Sequence, residues 1–467
     1  MTATHAITDV LAVWMRRQRW FAGKSASPQL RVIGSWELES EDLESADPES
    51  DPEVSITTYL VLDDGAVPRV LYQVPITTRH APLESGWSAL IAELTDPAGE
   101  AVYLYDGPHD PAYARSLLAF VTSGGHVDGV GTRVDGIPAE SLACVNVRSH
   151  VLGGEQSNTS IVYDFDAVGG ESGRAAICKV FRTLHHGENP DVVLQSALFA
   201  AGSHAVPATL GSVVAEWSDP REPLGHAVGH LAFAQEFLTG AEDAWRRARA
   251  AFSDSVDFSE NARAIGTATA DVHATLANVM PTVSADEADI AETVAAWNAR
   301  LDAAVAEAPE LDALREQIGT VFQRAATSPW PRLQRIHGDL HLGQVLGMPG
   351  GDWVIIDFEG EPMRPLSERT SPDVALRDVA GMLRSFDYVA GTERGSLDVV
   401  GWVDACRRAF IEGYSERSGE DVMAHGVLVG ALELDKALYE VVYEARNRPA
   451  WLPIPLAAIH RILQRAQ

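Results

Sequence analysis

Lysine is almost missing from this 467-residue chain: Lys24, Lys179 and Lys436 stand against 33 arginines. Cysteine is equally scarce. Cys144, Cys178 and Cys406 are odd in number, far apart and in no metal-ligand spacing. That excludes a disulfide framework and suits free thiols in a reducing cytoplasm. Positive charge is short overall, with 36 Lys and Arg against 66 Asp and Glu and a formal net charge of −30. So negative a surface repels nucleic acid and anionic lipid, and neither is expected as a partner. No apolar run approaches the ~18 residues of a membrane span. The opening Met1-Thr-Ala-Thr-His-Ala-Ile-Thr-Asp9 lacks the basic-then-apolar pattern of a secretory signal, so a cytoplasmic protein is expected.

What is present is ordinary globular material. Hydrophobic residues make up 46% of the chain and charged residues 22%, and the length allows two or three domains with sizeable cores. Residues 1–95 read as a separate unit: an amphipathic helix through Val10, Leu11, Trp14 and Met15, then strands near 30–38, 54–63 and 69–77. An acidic run from Glu37 to Glu53, with Pro48 and Pro52, separates the first two strands as a solvated loop. Residues 96–238 form a second part. It has a helix near 111–122, a Gly-rich patch at 124–136, and strands around 145–152, 161–165, Lys179, 208–215 and 229–237. A helix starts at Asn189-Pro190-Asp191. Residues 239–467 read as mostly helical, with stretches near 240–252, 258–278, 286–307, 309–327, 374–389, 399–417 and 424–446. Strands first and helices afterwards give an α+β chain of two lobes rather than a parallel α/β sheet.

One segment interrupts the helices. Arg335-Ile-His337-Gly338-Asp339-Leu-His341-Leu-Gly-Gln344 is followed by Trp353-Val-Ile-Ile-Asp357-Phe-Glu359, with the acids 18 residues apart. An Asp in a loop is commonly a turn former or a cap, but that leaves the ordered polar set unexplained. Phosphoryl transfer needs one carboxylate to orient the attacking hydroxyl and another to hold the magnesium that bridges the ATP phosphates. Asp339 takes the first role and Asp357 the second. Gln344 is the further metal ligand, and Glu359 assists the metal or the acceptor. His337 braces the loop by hydrogen bonding, and His341 is open between packing and a contact to the acceptor.

Lys179 lies in the apolar stretch Arg174-Ala-Ala-Ile-Cys-Lys179-Val-Phe. A chain that chooses Arg nearly everywhere keeps here a compact ammonium, suited to the α- and β-phosphates as a point charge. Upstream, Gly153-Gly-Glu-Gln-Ser-Asn-Thr-Ser160 is a polar turn, with Ser157, Asn158 and Thr159 as phosphate-lining candidates. Gln235-Glu-Phe237-Leu resembles the hinge that meets adenine in kinases, which makes Gln235 and Phe237 candidates there.

The set His-Gly-Asp-x-His-x-x-Gln and Ile-Asp-Phe-Glu resembles the aminoglycoside-phosphotransferase branch of the protein-kinase-like fold. More of the chain resembles the actinobacterial maltokinases. The likeness is carried by Gln18-Arg-Trp-Phe-Ala-Gly-Lys24, Gly154 to Ser160, Lys179-Val-Phe-Arg182, Asn189-Pro-Asp191, Ile356 to Pro362, Arg377-Asp to Asp387, and Tyr439-Glu-Val-Val-Tyr443-Glu-Ala-Arg-Asn-Arg-Pro-Ala-Trp451. It implies an N-terminal cap subdomain over a bilobal kinase fold, with ATP and Mg2+ as cofactors. It also implies phosphorylation of maltose at the anomeric hydroxyl, giving maltose 1-phosphate for α-glucan synthesis. A monomer is expected, with a trehalose-to-maltose converting enzyme as the associated pathway enzyme.

A sugar acceptor asks for carboxylates, amides, Arg and aromatic faces. The C-terminal helix offers Lys436, Tyr439, Glu440, Tyr443 and Glu444, which fall on one helical face or beside it. Arg384, Arg448 and Trp451 are expected to close the pocket. One departure from the maltokinase pattern stands out. Val193 replaces the acid expected two residues after Asn-Pro-Asp, so Lys179 is held by Asp191, by Glu188 or by nucleotide alone. Glucosamine kinases share the catalytic segment and are the second reading, with glucosamine 6-phosphate as product. A pseudokinase and an antibiotic-modifying phosphotransferase fit fewer of the motifs.

Overall fold

The computed structural model describes residues 3–23, 28–39, 54–83, 87–140, 147–153, 158–165, 175–392 and 399–465. Lys24, most of the acidic run, Cys144 and Ser157 lie outside them. The chain divides into two units, Met1–Val192 with Ala208–Thr239, and Val193–Pro207 with Gly240–Gln467.

The first unit opens with α1 (Ala3–Met15). Its Leu11, Trp14 and Met15 are buried and pack with Trp20, Phe21, Tyr72 and Val74 into one apolar cluster. The rings of Trp14 and Trp20 lie 5.6 Å apart, and those of Phe21 and Tyr72 5.2 Å. Beneath them lies an antiparallel sheet of β1 (Leu30–Leu38), β2 (Ser55–Asp63), β3 (Val70–Arg79), β4 (Leu90–Thr95) and β5 (Ala101–Asp106), in the order β1-β2-β3-β5-β4. The sheet therefore runs past residue 95, with β5 ending at Asp106. Next comes α2 (Pro111–Ser123), with its stop and start signals in place. Asp110 caps it by accepting from the Ala112 N–H, Pro111 takes the first turn, and Gly124 closes it in the left-handed region at φ 77°.

The Gly-rich patch becomes a hairpin of β6 (His126–Gly129) and β7 (Thr132–Pro138). It belongs to a second antiparallel sheet with β8 (Val147–Val151), β9 (Asn158–Phe165) and β10 (Ala175–Phe181). After β10 the chain leaves this sheet. The short β11 (Thr183–Leu184) pairs with β3 of the first sheet, and α3 (Pro190–Ala200) follows. The second sheet is completed by β12 (Thr209–Ser218) and β13 (His226–Glu236), in the order β6-β7-β12-β13-β10-β9-β8. The Lys179 strand thus has a hydrogen-bonded neighbour on each side.

The second unit is helical. It comprises β14 (Glu242–Asp243), α4 (Ala244–Ser253), α5 (Ser259–Val279), α6 (Glu287–Glu307), α7 (Arg315–Ala326) and β15 (Leu333–Gln334). Then come β16 (Val345–Gly347), β17 (Trp353–Ile355), α8 (Leu366–Arg369), β18 (Asp373–Val374), α9 (Leu376–Thr392), α10 (Val399–Ser418), α11 (Gly426–Asn447) and α12 (Pro453–Arg465). Close packing of α5 on α10 explains two glycines. A Cβ on Gly266 would stand 2.2 Å from the Phe410 carbonyl oxygen, and one on Gly413 2.1 Å from that of Arg263. Two boundaries differ from the sequence expectation. The helix expected over 309–327 begins as a tighter 3-10 turn, Pro309–Leu314. The last helix, α12, was not expected at all. Its Pro453 and Pro455 fall in the first turn, where the missing N–H groups would have no intrahelical partner, so they start a helix rather than break one. Ala458, Ile459, Ile462 and Leu463 then form its buried stripe. Among the described residues, no helix is long and apolar enough to cross a membrane.

Candidate active site

In the second unit, the loop 335–341 is held by a buried carboxylate that the sequence reading did not single out. Asp378, at the start of α9, accepts from the backbone N–H groups of His337 and Gly338, each at 2.8 Å, and from His273 Nε2 at 2.9 Å. Burial pushes its pKa up, but the hydrogen bond and charge of His273, the charge of His337 and the Gly338 N–H outweigh that, leaving it below the ordinary carboxylate range. Gly338 turns in the left-handed region at φ 82°, which a side chain would resist. His337 does brace the loop. Its Nδ1 accepts from the Asp339 N–H at 3.3 Å and its Nε2 meets the Ile356 carbonyl at 3.0 Å, tying the loop of the first acid to the strand of the second.

Asp357 follows β17 with φ 68°, a non-glycine residue in the left-handed region. Strain of that kind, of order 1–3 kcal/mol, gathers where a side chain must be aimed for function. Gln344 Nε2 donates to Asp357 Oδ2 at 3.0 Å, and Asp357 and Glu359 each bring a carboxylate oxygen within 4.8 Å of the other. Two carboxylates this close offer hard oxygen donors, which suit magnesium, and the Gln344 carboxamide stands beside them.

Asp339, with its side chain 19% exposed, accepts from Lys436 Nζ at 2.8 Å. The same ammonium donates to Glu361 at 2.8 Å and lies 4.8 Å from the Tyr439 ring centre. Behind it, Glu361 is held by Arg364 at 2.7 Å and Arg300 at 3.4 Å. Arg300 and Arg377 each reach Asp435 at 3.0 Å, and Arg377 also pairs with Asp373. Four acids therefore alternate with four cations. Burial alone pulls the pKa of Lys436 down, yet Asp339 and Glu361 together raise it above its ordinary value. Burial pushes Glu361 up, and Lys436, Arg364 and Arg300 more than reverse that.

A cavity of about 430 Å3 opens beside Asp339. Of the residues expected at an acceptor, His341, Lys436, Tyr439, Glu440, Tyr443 and Glu444 line it, as do Arg448 and Trp451. Tyr439 and Tyr443 stack with ring centres 6.4 Å apart and 12° between planes. His341 Nδ1 accepts from the Gly343 N–H at 3.0 Å. Chiefly through burial its pKa is lowered, so near neutrality the ring is uncharged and its proton sits on Nε2. Arg384 does not line the cavity. It is 1% exposed and lies behind the wall, where it donates to Glu440 at 2.6 and 3.1 Å and to Asp387.

In the first unit, Lys179 Nζ meets Asp191 Oδ2 at 2.7 Å. Asp191 is fully buried in the first turn of α3, and its N–H is capped by the Asn189 side chain at 2.9 Å. Of the alternatives left by Val193, the acid within Asn-Pro-Asp does pair with Lys179. Lys179 stands opposite Ser160, and Val180 opposite Thr159. Opposed residues share a face and successive residues alternate, so Asn158 and Ser160 fall on the Lys179 face and Thr159 on the other. The Thr159 hydroxyl accepts from Arg182 Nε at 2.8 Å. Gln235 is buried in β13 opposite Ile177, and the Phe237 N–H donates to the Ala175 carbonyl at 2.9 Å.

Comparison with known proteins agrees with this architecture. Residues 14–110 match the maltokinase N-terminal cap domain, and residues 198–424 match the phosphotransferase enzyme family. The fold and the site together define a phosphotransferase of the aminoglycoside-phosphotransferase type, with a kinase-like α+β fold. Within that class the chain is a sugar kinase bearing a maltokinase-type cap. It is 28% identical over 332 residues to a glucosamine kinase of Mycolicibacterium smegmatis, spanning 66% of this chain and 78% of that protein. A glucosamine kinase of Streptacidiphilus jiangxiensis is 30% identical over 253 residues, 48% of this chain and 56% of that one. Among solved structures, a glucosamine kinase superposes with a TM-score of 0.67 at 21% identity, covering 98% of this chain and 99% of the other. A second, in complex with glucosamine, ADP and inorganic phosphate, gives a TM-score of 0.65 at 20% identity over 97% and 98%.

Proposed function

We propose that the acceptor is maltose, phosphorylated by ATP at the anomeric hydroxyl to give maltose 1-phosphate for α-glucan synthesis. One observation carries this reading. Each carboxylate lining the cavity is already paired with a cation of the chain itself: Asp339 with Lys436, Glu440 with Arg384, and Glu444 with Arg448 at 2.7 Å. An amino sugar brings an ammonium, which would have to displace one of these partners or lie beside Lys436. A neutral disaccharide needs hydroxyl partners and flat apolar faces, and the stacked tyrosines with Trp451 provide the latter. The cavity volume falls within the range of roughly 300–1,000 Å3 usual for small-molecule sites. Glucosamine remains the second reading, favoured by the glucosamine kinases among the relatives.

In the proposed reaction, Asp339 orients the attacking hydroxyl and accepts its proton. Lys436 fixes the Asp339 carboxylate, and His341 Nε2–H is available to a sugar oxygen. Lys179, steered by Asp191, contacts the α- and β-phosphates, with Ser157, Asn158, Gln235 and Phe237 as further nucleotide contacts. Asp357, Gln344 and Glu359 are the residues that would hold magnesium. Bound there, the ion would neutralise charge on the transferring phosphate.

Coupled ADP-release assays across maltose, glucosamine, glucose and an aminoglycoside test the acceptor. Maltose-selective turnover is expected, and glucosamine-selective turnover would overturn the acceptor assignment while leaving the catalytic residues in place. For the metal, Asp357→Asn is expected to raise the magnesium concentration needed for half-maximal rate by about tenfold or more, the scale on which lost ligand support weakens metal sites. An unchanged magnesium titration would argue against Asp357 as a ligand.

A further inference from the structure

We propose that Asp106 of the cap segment and Arg182 are positioning residues for the nucleotide strands, clamping β9 and β10 from the face opposite Lys179. The inference rests on the reading of Lys179 and Asn158 as nucleotide contacts and extends it to residues that touch no nucleotide.

Arg182 is fully buried. One terminal nitrogen of its guanidinium donates to both oxygens of Asp106, at 2.8 and 2.7 Å, and its Nε donates to the Thr159 hydroxyl at 2.8 Å. The indole of Trp20 lies against the same guanidinium, 5.0 Å from centre to centre. The backbone is held as well, since the Arg182 carbonyl accepts from the Gln73 N–H at 2.9 Å. Besides the Trp20 segment, three chain segments are hydrogen-bonded through this one cation: the end of β5, the exit of β10 three residues after Lys179, and the start of β9 one residue after Asn158.

A buried ion pair is a poor way to gain stability. Desolvation consumes most of the Coulomb attraction, and apolar replacements of the same volume often serve as well or better. What such a pair supplies is geometry, because an off-centre guanidinium here would leave a buried carboxylate unmatched. The Asp106 contact through one terminal nitrogen and the Thr159 contact through Nε hold the guanidinium at two points, so the position of Thr159 is tied to that of Asp106. With Thr159 fixed on the far face, Asn158 and Lys179 are aimed on the near one. Tying this anchor to the cap makes the cap a structural determinant of nucleotide affinity.

The test compares Thr159→Val, Thr159→Ser, Asp106→Asn and the T159V/D106N double variant, reading KM for ATP at saturating sugar, KM for the sugar, kcat and the melting curve. T159V and D106N are each expected to raise KM for ATP about three- to tenfold, toward the lower end of the coupling found between contacting residues. KM for the sugar should stay put, and T159S, which keeps the hydroxyl, should behave as wild type. The double variant should be no worse than the more severe single one, because both break the same clamp. Should D106N not fold, T159V is nearly isosteric and carries the comparison with T159S alone. Wild-type KM for ATP in folded T159V, or full additivity in the double variant, would overturn the clamp. Asn158→Ala and Lys179→Met separate the two levels of the inference. If they raise KM for ATP while T159V does not, only the clamp falls; if they leave it unchanged, the underlying nucleotide reading falls with it.

Discussion

Asp339→Asn is expected to keep the wild-type melting curve and lose roughly 10²–10⁴ of kcat, the range associated with loss of a general base. The loop backbone does not depend on the Asp339 side chain. It hangs on Asp378 through the His337 and Gly338 N–H groups and on His337 through Ile356. The amide can still accept from Lys436, so the geometry of the pocket survives while proton acceptance is lost. KM for sugar and ATP should therefore move little, placing the loss in the chemical step. Near-normal turnover of the folded variant would remove Asp339 from the base role.

Lys436→Met should have the next largest effect. The methionine keeps the apolar stem but takes away the ammonium shared by Asp339 and Glu361. Glu361 retains Arg364 and Arg300, whereas Asp339 loses the salt-bridge partner that fixes its carboxylate. A fall in kcat of about 10² is expected from misplacement of a reacting group by something like an ångström. Stability should also drop, by less than the 3–5 kcal/mol seen when fully buried pairs are broken, because Asp339 keeps some access to water. Lys436→Arg should not restore the rate: the bulkier planar guanidinium cannot take the place of a compact ammonium set between Asp339, Glu361 and the Tyr439 ring without moving the Asp339 carboxylate. Wild-type kcat in the methionine variant would reduce Lys436 to a cavity wall.

Local chemistry carried much of this into the sequence. The helix start at Asn189-Pro190-Asp191, the alternating strands and the 18-residue separation of Asp339 and Asp357 are short-range patterns, and each could be read directly. The face of α11 that carries Lys436, Tyr439, Glu440, Tyr443 and Glu444 was legible because helical spacing is local too. Asp378 was not, although it stands in the quoted Arg377-Asp378 pair, because its role exists only once two N–H groups 40 and 41 residues away converge on it. Glu361 was passed over for the same reason, lying beside Gly360 and Pro362 with nothing to announce Lys436, Arg300 and Arg364 around it. Arg384 shows the opposite error. Its charge pointed to a ligand, but burial between Glu440 and Asp387 turns it into a support. Thr159 was grouped with Asn158 by composition, and strand alternation then sends its side chain to the other face.

The pairing of β11 with β3 carries a consequence for anyone who would cut the molecule. By sequence the cap looks like a cassette that could be deleted, swapped onto another kinase or expressed alone. By hydrogen bonding it is not self-contained, since one strand of its sheet comes from Thr183 and Leu184, after the strand that bears Lys179. Excising the N-terminal segment would strip β11 of its neighbour, and the isolated cap would present β3 with a bare stretch of edge. The seam for a viable chimera therefore runs through two places in the chain rather than one.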